Sequence, residues 1–441
     1  PYALQAEKTA LIARQANAAV ALLRLEDPKP IDDFLTVDRD PEALSQFIFR
    51  IRGREISPLL IMQRVRELST QGLAADTKPR QQQHLRLYGM VLGLGEFTVA
   101  QLPTYERVRF VDELIEMYRT HPSRAVHSAL GWLLQRWGQN TAVRAIDETP
   151  LAYDPRGDRE WYVVKVEPGF EGNPRKQSTP ISDPNFIDLA APIYFTMLVF
   201  PGGEFEMRSG LRKATTVSVP GPLAVSDREV TWRQFSPHDL DQHRHFCDST
   251  PGLISKELRG RRLSPNDPVV FLSFDQAIYY CRWLTAAFMP GEENQCYGQE
   301  PVGGKVDDPA QWEWLMDSRR RGFRMLTKSE WEYVATAGME TQYSFGTSES
   351  LLGEYAWYRM NSGGGPHRTG ELRPSIGGLF DVHGNVAEWT SEKSASHTVC
   401  GSGWDLDATW SGFSAKRIVN GGVGPTCGFR IAVVPVADGD Q

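Results

Sequence analysis

From residue 1 to about residue 147, apolar positions recur three and four residues apart. Examples are Leu11, Ala18, Leu22 and Leu25; then Phe110, Leu114, Ile115 and Tyr118; then Val126, Leu130, Leu133 and Leu134. That spacing puts one apolar stripe on each helix, so this part of the chain is predicted to be helical throughout. Three prolines, Pro41, Pro79 and Pro122, each follow a charged residue or a histidine, and they lie 38 and 43 residues apart. Proline is tolerated at the first helical position, where its missing N–H has no partner to lose, so each marks a helix start.

A period near 40 fits stacked helix pairs of the HEAT type, with an irregular helical bundle as the alternative. Residues 148–190 then read as a connector, with Pro150, Pro155, Pro168, Pro174, Pro180 and Pro184 around one short strand at Trp161–Val166. From Ile193 the pattern becomes short strands, turns and aromatics. It contains two clear helices, Phe274–Leu284 after Ser273 and Lys328–Ala337 with Thr327 or Ser329 as cap. The predicted class is α+β: a helical domain over 1–147, a connector over 148–190 and an irregular mixed domain over 191–437.

Charge narrows the function classes. The chain of 441 residues has 48 basic and 55 acidic side chains, a net charge of −7, and the first 150 residues hold 19 basic and 18 acidic of these. The acidic excess therefore sits in the second part, which disfavours nucleic acid as a partner. No run of about 18 uncharged apolar residues occurs, so no membrane span is expected, and a cytoplasmic location is the simplest expectation. Five cysteines (Cys247, Cys281, Cys296, Cys400, Cys427) are too few and odd in number for a disulfide framework. Buried thiols are the expectation, with Cys400–Cys427 as the one pair to check.

A series of motifs then appears in fixed order: Gly203–Met207, Glu229-Val230-Thr231, Pro268–Phe274, Tyr280–Leu284, Arg324–Tyr333, Gly378–Trp389 and Gly428-Phe429-Arg430. As a set these resemble the formylglycine-generating enzyme (sulfatase-modifying factor) family, whose fold is a variant of the C-type lectin fold. The helical part followed by such a domain is similar to the C-terminal portion of large bacterial signalling proteins.

The resemblance implies a copper oxidase site made by two cysteines shortly after a Gly-Gly-Ser-Trp strand. Here that strand reads Cys400-Gly401-Ser402-Gly403-Trp404, and Leu406 and Ser411 stand at the two cysteine positions. Residues 401–426 contain no cysteine. Cu(I) favours soft thiolates, so no copper is expected. A second branch of the family, the sulfoxide synthases, binds iron through clustered histidines of a helical domain, whereas His84, His121 and His127 are scattered here. The resemblance also implies a structural calcium held by Asp381, the carbonyls of Gly384 and Val386, and Glu388, an oxygen-rich set of the kind Ca²⁺ favours; hydrogen bonding within the loop is the alternative. The segment from His238 to Cys247 reads as a loop with incidental histidines, the sharper alternative being a transition-metal site on His243, His245 and Cys247.

The favoured reading is a non-catalytic recognition module. Its ligand-binding face carries Trp404, Asp405, Trp410 and Phe413, and a protein or peptide partner docks there or on the helical part. Variable binding proteins of diversity-generating retroelements, which use the same scaffold, are one form of this reading. The alternatives are an enzyme using a non-copper site around His383 and Asp405, and a regulatory segment of a larger kinase- or protease-linked protein.

Overall fold

The computed structural model describes residues 2–25, 29–71, 77–168, 187–207, 215–238, 258, 261, 263–302, 313–391, 397–413, 416–419 and 424–437. Two compact units form. The first comprises Pro1–Ile146 with Ala335–Tyr355 and Leu372–Leu379, and the second comprises Asp147–Val334, Ala356–Glu371 and Phe380–Gln441.

The first unit is built on α1 (Tyr2–Arg24), α2 (Lys29–Phe34), α3 (Glu42–Ile51), α4 (Pro58–Thr70), α5 (Thr77–Leu94), α6 (Thr104–Thr120), α7 (Arg124–Arg136) and α8 (Asn140–Asp147). Helix α1 touches α3, α3 touches α5 and α5 touches α7, while α2 lies beside α1, α4 beside α5 and α6 beside α7. The stripe read on α6 supplies such contacts, with Phe110, Leu114 and Tyr118 buried, and α3 adds Leu44, Phe47, Ile48 and Ile51. The stripe read on α1 does not, since Leu11 and Leu25 are 49% and 74% exposed and the buried face of α1 carries Ala16, Ala19, Val20 and Leu23 instead. At Gly89 of α5 a Cβ would lie 2.4 Å from a Leu44 methyl, so α3 and α5 approach closely only because that position is glycine.

The three prolines mark helix starts less uniformly than expected. Pro41 is the N-cap of α3, Pro79 is the third residue of α5, and Pro122 precedes the Ser123 N-cap of α7. Each falls at or next to a first turn, where backbone N–H groups have no helical acceptor. His84 and His121 meet edge to face at 5.1 Å, and His127 stacks on Tyr118 and bonds its carbonyl at 2.9 Å. All three histidines pack within this unit.

The sequence does not announce that residues 335–355 and 372–379 belong to the helical unit. Glu42, 1% exposed, accepts hydrogen bonds from the backbone N–H of Thr347 (2.6 Å) and Ser348 (3.1 Å). Arg373 pairs with Glu96 and, at 3.2 Å, with Glu354, and Arg52 bonds Glu96 at 2.6 Å. The Arg373 guanidinium also lies 5.7 Å from the Trp132 ring centroid. Removing it would leave the fully buried Glu96 carboxylate with one exposed partner. Arg373→Ala should therefore cost the first unit about 3–5 kcal/mol. A urea transition followed by Trp132 fluorescence should shift to lower denaturant, and an unchanged midpoint would refute this role.

The second unit carries strands β1 (Trp161–Val166), β2 (Ile193–Phe200), β3 (Gly203–Met207), β4 (Thr215–Val219), β5 (Leu223–Ser226), β6 (Arg324–Met325), β7 (Ala387–Thr390), β8 (His397–Cys400), β9 (Lys416–Val419), β10 (Cys427–Gly428) and β11 (Ile431–Val433). They form a five-stranded sheet in the order β1-β2-β5-β11-β6, a four-stranded sheet in the order β10-β7-β8-β9, and the ribbon β3-β4. The strand foreseen in the connector is β1, but it is an edge of the larger sheet, paired along its length with β2. Its alternating and apolar residues earn that place by burial.

Three helices complete the unit: α9 (Trp232–Phe235), α10 (Phe274–Phe288) and α11 (Lys328–Thr336). Ser273 caps α10 in a reciprocal box with Gln276. Thr327, rather than Ser329, caps α11: its hydroxyl accepts from Glu330 N–H at 3.2 Å and Glu330 accepts from Thr327 N–H at 2.8 Å. Helix α10 contacts both β1 and β6, the two edges of the larger sheet, and so crosses its face. Among the described residues, no helix is long and apolar enough to cross a membrane.

Candidate binding site

The segment 381–389 organises the second unit. Asp381 and Asn385 both have positive φ, 61° and 66°, and this turns the loop back on itself. At Gly384 a Cβ would lie 2.3 Å from the Trp357 carbonyl oxygen, so only glycine allows this crossing. Asn385 then uses nearly every polar atom. Its N–H donates to Trp357 O (2.8 Å), its Oδ1 accepts from His367 N–H (2.8 Å), its Nδ2 donates to His367 O (3.2 Å), and its carbonyl accepts from Trp404 N–H (2.8 Å).

Glu388 lies within a buried ion pair. Arg430 donates to both of its carboxylate oxygens at 2.6 Å, and Trp331 Nε1 donates to Oε2 at 2.8 Å. Arg430 also donates to the carbonyls of Phe380 (3.0 Å), Ser226 (3.3 Å) and Asp227 (3.4 Å). Both side chains are 1% exposed. A pair this completely bonded is the form in which burial of charge is tolerated.

Asp381 faces a different partner. One of its oxygens accepts from Gly370 N–H at 2.7 Å; the other, and Oε2 of Glu229, are buried without a hydrogen-bond partner among the described residues. The other Glu229 oxygen, Oε1, accepts from Asn385 Nδ2 at 3.3 Å. Burial raises the Asp381 pKa to about 6, against the opposing Gly370 N–H and Arg430, and burial likewise raises Glu229, helped by the charges of Asp381 and Glu388. Two such carboxyls are most stable holding a single proton between them.

These facts bear on the metal ligands the resemblance implied. Asp381, Gly384, Val386 and Glu388 are brought together in one loop, but three of the bonding positions of the Glu388 carboxylate are already taken by Arg430 and Trp331. The atoms that lack a protein partner are on Asp381 and on Glu229, which the sequence reading missed although it quoted the Glu229 motif. Among the described residues no group of three or more His, Cys, Asp and Glu side chains is arranged for a metal ion. Residues 243–247 lie outside the described residues, while His238 packs against Phe235, Tyr280 and Trp283.

Cys400 and Cys427 are held apart by the smaller sheet. Glu388 pairs with Cys400 on one side of β7 and with Gly428 on the other, so β7 lies between Cys400 and Cys427. Two strand spacings, about 9–10 Å, exceed the reach of a disulfide. Both are buried free thiols, as expected, and the pair singled out for checking is not a disulfide. Leu406 and Ser411 present no thiolate, so the donor set does not fit Cu(I). His383, buried beside Phe413, donates from Nδ1 to the Ser411 carbonyl at 2.7 Å, and burial lowers its pKa to about 4. The ring is therefore uncharged near neutral pH.

The four residues expected on a ligand face do share one loop, but not one exposure. Trp404 and Phe413 are 7% and 5% exposed, and Trp404 Nε1 donates to Pro425 O at 2.9 Å. These two are core. Trp410 is 43% exposed. The loop is pinned by Arg359, whose N–H bonds Leu406 O (2.9 Å) and whose side chain bonds Asp405 O (2.8 Å) and Asp407 (3.2 Å). The neighbouring Met360 is 79% exposed. Inside the loop, Ser402 Oγ, Ser411 Oγ, Asp405 Oδ1 and Arg417 Nε and Nη2 are all buried without a hydrogen-bond partner among the described residues.

A scaffold of two small sheets, long pinned loops and the Gly378–Trp389 and Gly428–Arg430 motifs defines a class. The sequence profile of the Sulfatase-modifying factor enzyme 1-like domain matches residues 191–433, and the chain belongs to that family. Chaperone protein LppX of Paenibacillus barcinonensis is 25% identical over 193 residues, which is 37% of this chain and 69% of that protein. A formylglycine-generating enzyme of Mycobacterium tuberculosis is 27% identical over 177 residues, 36% of this chain and 46% of that enzyme, less than half its length. Among solved structures, Treponema denticola variable protein 1 aligns with a TM-score of 0.46 at 23% identity, covering 55% of this chain and 96% of that one. PvdO from Pseudomonas aeruginosa aligns with a TM-score of 0.40 at 19% identity, covering 58% and 100%.

The Asp381–Glu229 pair gives a test. Ionised Asp381 is disfavoured in the fold, so its contribution makes stability fall as pH rises from the ordinary carboxylate pKa near 4 through the folded value of about 6. In chelator-treated protein, Asp381→Asn should remove that slope and raise stability above about pH 7 by on the order of 2 kcal/mol. Melting curves of both proteins across this range decide it; parallel profiles would refute the assignment.

Proposed function

We propose that this chain is a non-catalytic recognition module. In this reading a C-type-lectin-like scaffold of the formylglycine-generating family is joined to HEAT-like helix pairs, in a bacterial signalling or effector system. It binds a protein, peptide or small ligand through the loop that carries Asp405 and Trp410, over a floor that includes Trp404 and Phe413. The observation that carries the reading is chemical: residues 401–426 hold no cysteine, and Leu406 and Ser411 stand where the resemblance expects the copper thiolates. The exposure of Trp410 and Met360 and the buried polar atoms around them support a binding role for the same loop. A relative named as a chaperone is consistent with protein binding. The 27% identity to a protein named as a formylglycine-generating enzyme favours the second reading, an enzyme that uses other residues.

Copper titration with oxygen uptake on a cysteine-containing peptide separates the two. The expected result is no stoichiometric Cu(I) binding and no peptide-dependent oxygen uptake, and turnover would overturn the proposal. We carry structural calcium as a subsidiary proposal at Asp381, whose Oδ1 supplies a hard oxygen ligand without another partner among the described residues. Millimolar calcium should raise the melting temperature of the wild-type chain near neutral pH but not that of Asp381→Asn. An equal response in both would remove the calcium.

A further inference from the structure

The ribbon of β3 and β4 leaves one strand edge open. All of β4 is paired with β3 on one side, and among the described residues it has no strand neighbour on the other. A groove of about 870 Å³ lies along it, near the upper end of the roughly 300–1,000 Å³ of ligand pockets. Four consecutive residues, Val217, Ser218, Val219 and Pro220, line this groove, and no residue of β3 does. Side chains alternate between the two faces of a strand, so a run that lines a groove residue by residue turns its backbone edge toward it. Such an edge carries N–H and C=O groups that can template another strand.

The ribbon is seated on α11. Phe205, opposite Val217, meets the Tyr333 ring at 5.6 Å, and Tyr333 Oη donates to Gly202 O at 2.7 Å. The first turn of α11, at Thr327, Ser329 and Glu330, also lines the groove. A further wall is the pairing of residues 296–298 with 315–317. Gly298 N–H donates to Leu315 O at 3.1 Å, and Asp317 N–H donates to Cys296 O at 2.9 Å. Leu315 of this wall is 62% exposed, an apolar side chain at the lip of the groove.

Charge narrows what can lie there. Arg319 and Arg320 line the groove with side chains 89% and 45% exposed, and they share one carboxylate, that of Asp317, at 3.0 and 3.9 Å. The other two carboxylates of the lining are matched singly, Glu292 by Arg282 at 3.0 Å and Glu330 by Arg324 at 2.7 Å. One positive charge is left over, in the part of the chain that holds the acidic excess.

We infer that this groove takes a polypeptide segment in extended form, added to the free edge of β4, with an apolar side chain beside Leu315 and a carboxylate at Arg319 and Arg320. In this mode backbone pairing supplies affinity and the flanking side chains choose the sequence. A small anion would leave the strand edge unpaired. No residue from 401 to 413 lines the groove, so this site is separate from the loop that carries Asp405 and Trp410 and does not depend on the reading of that loop.

Isothermal titration of the full chain with the hexapeptide acetyl-Glu-Val-Thr-Val-Thr-Glu-amide tests it. The expected result is saturable binding, weakened about tenfold or more when both glutamates are lysine and by a similar factor in the Arg319→Glu, Arg320→Glu double variant, which in turn should favour the lysine peptide. Both arginines are partly or largely exposed, and melting curves establish that the variant is folded. A bound strand turns alternate N–H groups toward β4. N-methylation of both valines, or of both threonines, should therefore abolish binding in one case and spare it in the other. No saturable binding, equal binding of the two methylated peptides, or an affinity unchanged in the double variant would overturn the inference. N-acetylglutamate amide binding as tightly as the hexapeptide would overturn it in favour of a small-anion pocket. A dimer of the free chain in sedimentation, dissociated by the hexapeptide, would overturn it in favour of a second copy on the same edge.

Discussion

The second unit depends on one buried ion pair. Arg430, next to β11, holds both oxygens of Glu388 on β7 and the carbonyls of Ser226, Asp227 and Phe380, so one guanidinium ties the larger sheet to the smaller one. Charge buried this deeply is tolerated because every donor it faces has a stated acceptor. The pair helps to place β7, and β7 runs between Cys400 and Cys427.

The same constraint sets the loops. With β7 fixed, the Asp381–Asn385 turn has to close tightly, which accounts for its two positive φ values and for Gly384 beneath the Trp357 carbonyl. Asn385 then anchors Trp404 through a backbone bond, and Arg359 holds Leu406, Asp405 and Asp407. The described part of the loop is held at these points, and polar atoms within it have no partner among the described residues. Framing of this kind lowers the ordering cost of binding and leaves side chains at the rim free to set specificity.

Much of the local structure was legible in the sequence. The apolar stripes of α6 and α7, the Ser273 cap of α10 and the strand Trp161–Val166 follow from spacing and from residue type, whereas the stripe read on α1 chose the exposed face, with Leu11 and Leu25 in solvent. Long-range partnerships were not. Nothing in the spacing of Glu42 foretells that it receives the N–H groups of residues 347 and 348, about 300 positions away, or that Arg373 completes a cluster with Glu96. At the site, the motif around residues 381–388 drew notice for its carboxylates, but which of them is neutralised by Arg430 and which meets Glu229 is a matter of tertiary packing. Aromatic residues misled in the same way: Trp404 and Phe413 look like surface recognition residues and are core, because a domain with little regular structure fills its interior with large side chains.

The central claim is that the loop between β8 and β10 recognises a partner without copper chemistry. The most direct measurement places a photo-crosslinking amino acid at Trp410 in the full chain and compares adducts formed in extracts of the source cells with and without a Cu(I) chelator. The account predicts a discrete adduct of equal yield in both. An adduct that disappears with the chelator, or a substrate cysteine found oxidised in the adduct, would contradict it.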